Sequence, residues 1–153
     1  MSDSRSSALV SVRVKSKEAA RSSVLARRHQ ISIGRAITFD REDPELSAME
    51  IVIGAAGSDV LGTFQKIARE RRIVLDELEA TVQGDLNNAL TYLGVIGEVG
   101  DPSLKTLTIK VYASTGAPDA EVRAAWAAAL ARSPLATTLG RCVDLKLDLQ
   151  IAH

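Results

Sequence analysis

Along residues 8–15 apolar and polar side chains alternate, with Val10, Val12 and Val14 on one side and Ser11, Arg13 and Lys15 on the other. A period of two predicts a half-buried strand. Residues 23–28 and 30–38 carry the β-branched Val24, Ile31, Ile33 and Ile37 and predict two further strands, which complete an antiparallel N-terminal sheet. The pattern breaks over residues 40–46, an acidic, turn-rich stretch with Pro44. Ser47 followed by Glu50 reads as a capping box. Met49, Ile53, Ala56, Val60, Phe64 and Ile67 then step by three or four, which predicts a helix starting near Ser47. Residues 51–57 have no polar side chain, so this segment is expected to be buried all round. Residues 65–72 are polar and basic; Lys66, Arg69, Arg71 and Arg72 suit the negative end of a helix dipole. Gly54, Gly57 and Gly62 lie inside the helix, where each costs about 1 kcal/mol relative to alanine, so close backbone contact or a kink is expected.

Leu78, Ala80 and Val82 alternate with Glu79 and Thr81 and predict another strand. Gly84-Asp85 is read as opening a loop with Asn87 and Asn88, followed by a short segment over 91–96 and a turn at Gly97, Gly100 and Pro102. Leu107, Ile109, Val111 and Ala113 mark the next strand. A second helix is expected from Pro118, a good first-turn residue, with a core stripe of Val122, Ala125, Trp126, Ala129 and Leu130 and an end at Ser133-Pro134. The last strand alternates most cleanly: Val143, Leu145, Leu147, Leu149 and Ile151 against Cys142, Asp144, Lys146, Asp148 and Gln150. The order strands, helix, strands, helix, strand predicts an α+β fold of antiparallel strands with two main helices rather than a doubly wound parallel sheet.

Composition narrows the function. At 153 residues the chain fits one domain, read as a flexible stretch over 1–7 and a single domain over 8–153. Nineteen Lys and Arg balance nineteen Asp and Glu, which argues against a nucleic-acid partner or an acidic membrane surface. One cysteine forbids an intrachain disulfide and a multi-thiolate metal site. His29 and His153 have no metal-ligand spacing, and the terminal His153 is expected to dangle. No metal and no cofactor are called for. The first ten residues lack the look of a signal peptide and no apolar run is long enough for a span, so a cytoplasmic protein is expected.

Four strings resemble the OsmC/Ohr family of osmotically induced and organic-hydroperoxide-resistance proteins. Glu50-Ile51-Val52-Ile53-Gly54-Ala55-Ala56-Gly57-Ser58-Asp59 is similar to the family's buried helix, E-L-L-L-A-A-L-x-S-C. Leu75-Asp76-Glu77-Leu78-Glu79-Ala80-Thr81-Val82-Gln83-Gly84-Asp85-Leu86 resembles the strand that follows, L-E-x-L-E-V-x-V-E-G-D-L. Tyr92-Leu93-Gly94 is similar to F-L-G, and Ser133-Pro134-Leu135-Ala136-Thr137-Thr138-Leu139 to C-P-V-S-x-x-L. The resemblance implies the OsmC-like fold, an intertwined homodimer, and two cysteines at the interface that reduce an organic hydroperoxide and resolve the product. It also implies a glutamate, matched by Glu50, and an N-terminal arginine, for which Arg21, Arg27 and Arg28 all qualify.

Asp59 and Ser133 stand where the two cysteines are expected. Neither a carboxylate nor a hydroxyl can form the sulfenic acid that a thiol peroxidase cycle needs. Asp59 follows an apolar segment and requires a tertiary partner if buried, since Gly62 and Thr63 at plus three and plus four are not cationic. Glu50 lies nine residues before Asp59, about 900° of helix, so the two face opposite ways and are not an acid–base pair. The resemblance makes Glu50, Asp59 and Ser133 the candidate pocket, in a dimer that takes a small, partly apolar ligand without peroxidase chemistry. Three alternatives remain open: a hydroperoxide reductase built on Cys142 with an external thiol, a different enzyme with Asp59 as acid or base in the same pocket, and a structural or interaction protein with no site.

Overall fold

The structure is a computed structural model that describes residues 7–36 and 43–153. It divides into two compact units, one up to Met49 and one from Glu50 onward. In the first, β1 (Arg13–Ser16), β2 (Ser22–Ala26) and β3 (His29–Ile33) form an antiparallel sheet in that order. Arg27, at φ +55°, turns the chain between β2 and β3. Val14 pairs with Val24 and Val24 with Ile31, which sets three β-branched side chains in one row. The half-buried first strand is not found. β1 spans four residues, all exposed, and Val10 and Val12 before it are exposed as well. Alternation marks a face that can be covered, and nothing among the described residues covers this one. Residues 37 and 38 of the third expected strand, and 40–42 of the turn stretch, lie outside the described residues.

The second unit is built from α1 (Ala48–Glu70), β4 (Glu77–Leu86), α2 (Ala89–Tyr92), β5 (Leu104–Ser114), α3 (Asp119–Leu130), α4 (Pro134–Leu139) and β6 (Asp144–Ala152). The sheet order is β4-β5-β6. β4 and β5 are antiparallel, while β6 joins β5 in parallel through the α3–α4 crossover, so the sheet is mixed rather than wholly antiparallel. The α+β arrangement itself is as expected. Registered rows such as Ala80–Val111–Leu149 and Val82–Ile109–Leu147 put one apolar face of the sheet into the core. Ala56, Val60, Phe64 and Ile67 of α1 and Val122, Ala125, Trp126 and Ala129 of α3 pack there. Phe64 and Trp126 meet edge to face at 5.3 Å.

Four local expectations change. Gly84 and Asp85 stay within β4, paired to β5, instead of opening a loop. The segment after Asn88 is one helical turn, with the Asn88 side chain accepting from Thr91 N–H. α3 ends at Leu130, and Ser133-Pro134 does not terminate it but opens α4. Residues 51–57 are not buried all round: Ala56 and Gly57 are, whereas Val52 is 46% exposed and Gly54 and Ala55 are exposed. The stripe of α1 that meets the sheet accounts for only one side of the helix. Of the three glycines only Gly57 shows the close approach expected, since a β-carbon there would come within 2.6 Å of Val82 Cγ2.

His153 does not dangle. Its Nδ1 lies 2.9 Å from the Thr115 carbonyl and its Nε2 2.6 Å from Asp119 Oδ1. Both neighbours only accept, so the full geometry requires an imidazolium that donates from both nitrogens. The Asp119 bond first, and the Thr115 carbonyl second, raise the His153 pKa above the ordinary histidine value, against some loss of hydration. A raised folded-state pKa means that this tie is fully present below the ordinary histidine pKa and is lost as pH rises through the raised value. Nitrogen-15 spectra of His153 are expected to show both ring nitrogens protonated at pH 6. Faster amide exchange near Ala152 is expected above the raised pKa, and a neutral ring at pH 6 would contradict this geometry.

Candidate functional site

α1 places Asp59 midway along its length, on the turn after the buried Ala56 and Gly57. The α3–α4 connection brings Ser133 to the same point. The Ser133 hydroxyl donates to Asp59 Oδ2 at 2.5 Å, and the Leu135 N–H donates to the same oxygen at 3.0 Å. Ser133 Oγ in turn accepts from the Ala136 N–H at 3.2 Å, which makes Ser133 the N-cap of α4, with Pro134 in the first turn. Ser133 is 1% exposed and Asp59 is half-buried. A carboxylate that accepts from the first turn of a helix is favoured by charge-assisted bonding and by the helix dipole. The partner that the sequence demanded for Asp59 is therefore a hydroxyl and a backbone N–H rather than an arginine.

The other candidates have surroundings of their own. Glu50 sits in the first turn of α1, nine residues and about 13 Å of helix axis away from Asp59. Arg21 is committed to acids of its own unit: Nη2 lies 2.7 Å from Asp43 Oδ2 and Nη1 3.1 Å from Glu45 Oε2. The Glu45 backbone N–H, with Arg21 and Arg35 after it, holds the Asp43 carboxyl down at about 2, against a partial loss of hydration. Arg27 and Arg28 are exposed in the β2–β3 turn. Cys142 is not on the last strand but in the turn before β6, exposed, with its thiol donating to the Leu139 carbonyl at 3.5 Å. No group of three or more His, Cys, Asp or Glu that could hold a metal occurs among the described residues.

An open cleft of about 600 Å³ borders the pair, lined by Asp59, Gly62, Thr63, Lys66, Ile67 and Arg132 along with Ser58. Sequence reading missed Lys66 and Arg132 as site residues. The helical spacing 59, 62, 63, 66 was visible and places those residues on one face. Arg132 comes from a connection whose path follows from the parallel crossover.

Residues 41–148 match the family described as OsmC-like protein, and the chain belongs to that family. Among solved structures it is similar to an OsmC-like protein from Mycoplasma pneumoniae, at 13% identity and TM-score 0.77, covering 94% of this chain and 96% of that one. An organic hydroperoxide resistance protein OsmC from Legionella pneumophila aligns at 15% identity and TM-score 0.68, covering 94% and 99%. The organic hydroperoxide resistance protein OhrB of Bacillus subtilis aligns at 17% and 0.60, covering 92% and 96%. At these identities the likeness is one of fold. No curated protein matches the sequence. Among the described residues no helix is long and apolar enough to cross a membrane.

Asp59→Ala strips the acceptor from both the Ser133 hydroxyl and the Leu135 N–H. A buried donor left unpaired costs about 1–3 kcal/mol, so urea denaturation is expected to show a loss in that range. Asp59→Asn keeps an acceptor oxygen and is expected to lose less. Equal stability of Asp59→Ala and the parent would show that the pair contributes nothing.

Proposed function

We propose that this chain is an OsmC/Ohr-type protein without thiol peroxidase activity, acting in the cytoplasm as a homodimer that binds a small, partly apolar molecule beside Asp59 and Ser133. One observation carries the reading: the two positions that resemble the family's cysteines meet in space, and they meet as carboxylate and hydroxyl at 2.5 Å. The junction is kept while the sulfur chemistry is gone. A thiolate attacks the peroxide oxygen, releases the alcohol and is oxidised to a sulfenic acid; a second thiol condenses with this to a disulfide and water, and an external dithiol reduces the disulfide. Neither oxygen group has such a step. The single thiol, Cys142, is exposed in a turn and donates to the Leu139 carbonyl.

The dimer is supported by surface that the chain leaves open. Val52 and Ala55 of α1 are exposed, and a β-carbon added at Gly54 between them would meet nothing within 4 Å. A helical glycine with no close neighbour of its own chain costs about 1 kcal/mol, which a partner backbone in close approach would offset. Exposed Val14 and Ile31, on either side of a half-buried Val24, together with exposed Val95, Ile96 and Val99, add apolar surface of the kind that interfaces cover.

With an aryl or lipid hydroperoxide and a dithiol, the parent protein is expected to show no turnover, and Asp59→Cys with Ser133→Cys is expected to gain it. Parent turnover abolished by Cys142→Ser would overturn this in favour of a Cys142 reductase. Inertness of both, with no ligand bound, would favour a structural protein. Sedimentation at micromolar concentration is expected to give a dimer that Gly54→Leu dissociates with helix content intact. A parent monomer would remove the dimer from the reading.

A further inference from the structure

The cleft beside the Asp59–Ser133 pair has a charge pattern that a purely apolar ligand does not use. Asp59, Gly62, Thr63 and Lys66 follow one another along a single face of α1. Asp59 receives both of its side-chain hydrogen bonds on Oδ2, and no bond to Oδ1 occurs among the described residues. Lys66 has no ion pair among the described residues. Arg132, on the other wall, makes one loose 3.4 Å contact with Glu70, with both side chains well exposed. Between Asp59 and Lys66 the helix offers Gly62, where a β-carbon would meet nothing within 4 Å, and the buried Ile67 also lines the cleft. Thr63 has its hydroxyl turned to the Asp59 carbonyl at 2.7 Å. The cleft is thus low at Gly62, with Asp59 toward one end of this helix face, Lys66 toward the other, and Arg132, loosely held by Glu70, lining it from the α3–α4 connection.

We propose that this cleft binds a small dipolar molecule, an ω-amino acid or a compound of that shape, with its ammonium on Asp59 and its carboxylate between Lys66 and Arg132. The inference rests on the ligand-binding part of the function above and gives that ligand a chemical class. A simple carboxylate is repelled by Asp59, and a simple amine by Lys66 and Arg132; a molecule carrying both charges satisfies both ends. Seven helical residues separate Asp59 from Lys66, about 10 Å along the axis. Allowing for a hydrogen bond at each end, the ligand's charges stand roughly 5–8 Å apart, joined by a short methylene chain that lies over Gly62.

The test is a nitrogen-15 NMR titration of the full chain with 6-aminohexanoate, and with hexanoate and hexylamine as single-charge controls. The expected result is shifts confined to the neighbourhood of Asp59, Gly62 and Lys66, with each control binding roughly two- to fivefold more weakly, the range that exposed ion pairs produce. Lys66→Met is expected to erase the advantage over hexylamine, and Asp59→Asn the advantage over hexanoate. Equal affinity for all three probes, or no shift in the cleft at the highest soluble concentration, overturns the proposal. So does an unchanged preference in Lys66→Met, a surface variant that leaves the Asp59–Ser133 bond in place. Failure here leaves the peroxide and sedimentation results untouched, so the two readings fall separately.

Discussion

The second unit depends on how closely one helix can lie against one strand pair. Ala56, Val60, Phe64 and Ile67 of α1 rest on a sheet face whose central strand contributes Leu107, Ile109, Val111 and Ala113, all essentially without solvent contact. Gly57 sets the spacing, because Val82 Cγ2 occupies the room where a side chain would be. Interiors packed to crystal-like density do not yield to such intrusions cheaply. Once α1 is seated, Asp59 one half-turn further on has little freedom, and the α3–α4 connection must deliver its hydroxyl and N–H to that place. The helix cap and the long helix hold each other through a single carboxylate oxygen.

Sequence patterning reached the fold well and the site partly. The long helix, the second helix and the final strand were legible because each carries an unbroken period that a compact core imposes. The direction of β6 was not. Alternation reports which faces a strand has but not which way it runs, and only the crossover through α3 and α4 makes it parallel. Ser133-Pro134 was ambiguous for a related reason: a residue that suits the end of one helix is equally suited to cap the next, and three residues separate α3 from α4.

Residues 51–57 and the valines before β2 show a different limit. Their apolar patterning is strong, yet the chain leaves much of it open. Hydrophobicity records that a surface is to be removed from water without recording what removes it. Asp59 is the converse: a carboxylate after an apolar run announced the need for a partner, but a cap geometry that satisfies an acid with uncharged donors leaves no charge pattern to read. The resemblance to the OsmC/Ohr family supplied the link between residues 59 and 133, 74 positions apart.

The parallel attachment of β6 has a kinetic side. β4 and β5 are joined by 17 residues and can zip together once that loop closes, whereas β6 can only dock after the chain has passed through α3 and α4 and returned to the same end of the sheet. Closing the longer excursion adds a modest entropic barrier, and contacts distant along the chain form late. Until the final strand arrives, one edge of β5 presents unpaired peptide groups, and in that interval the chain is most exposed to wrong pairing with other chains.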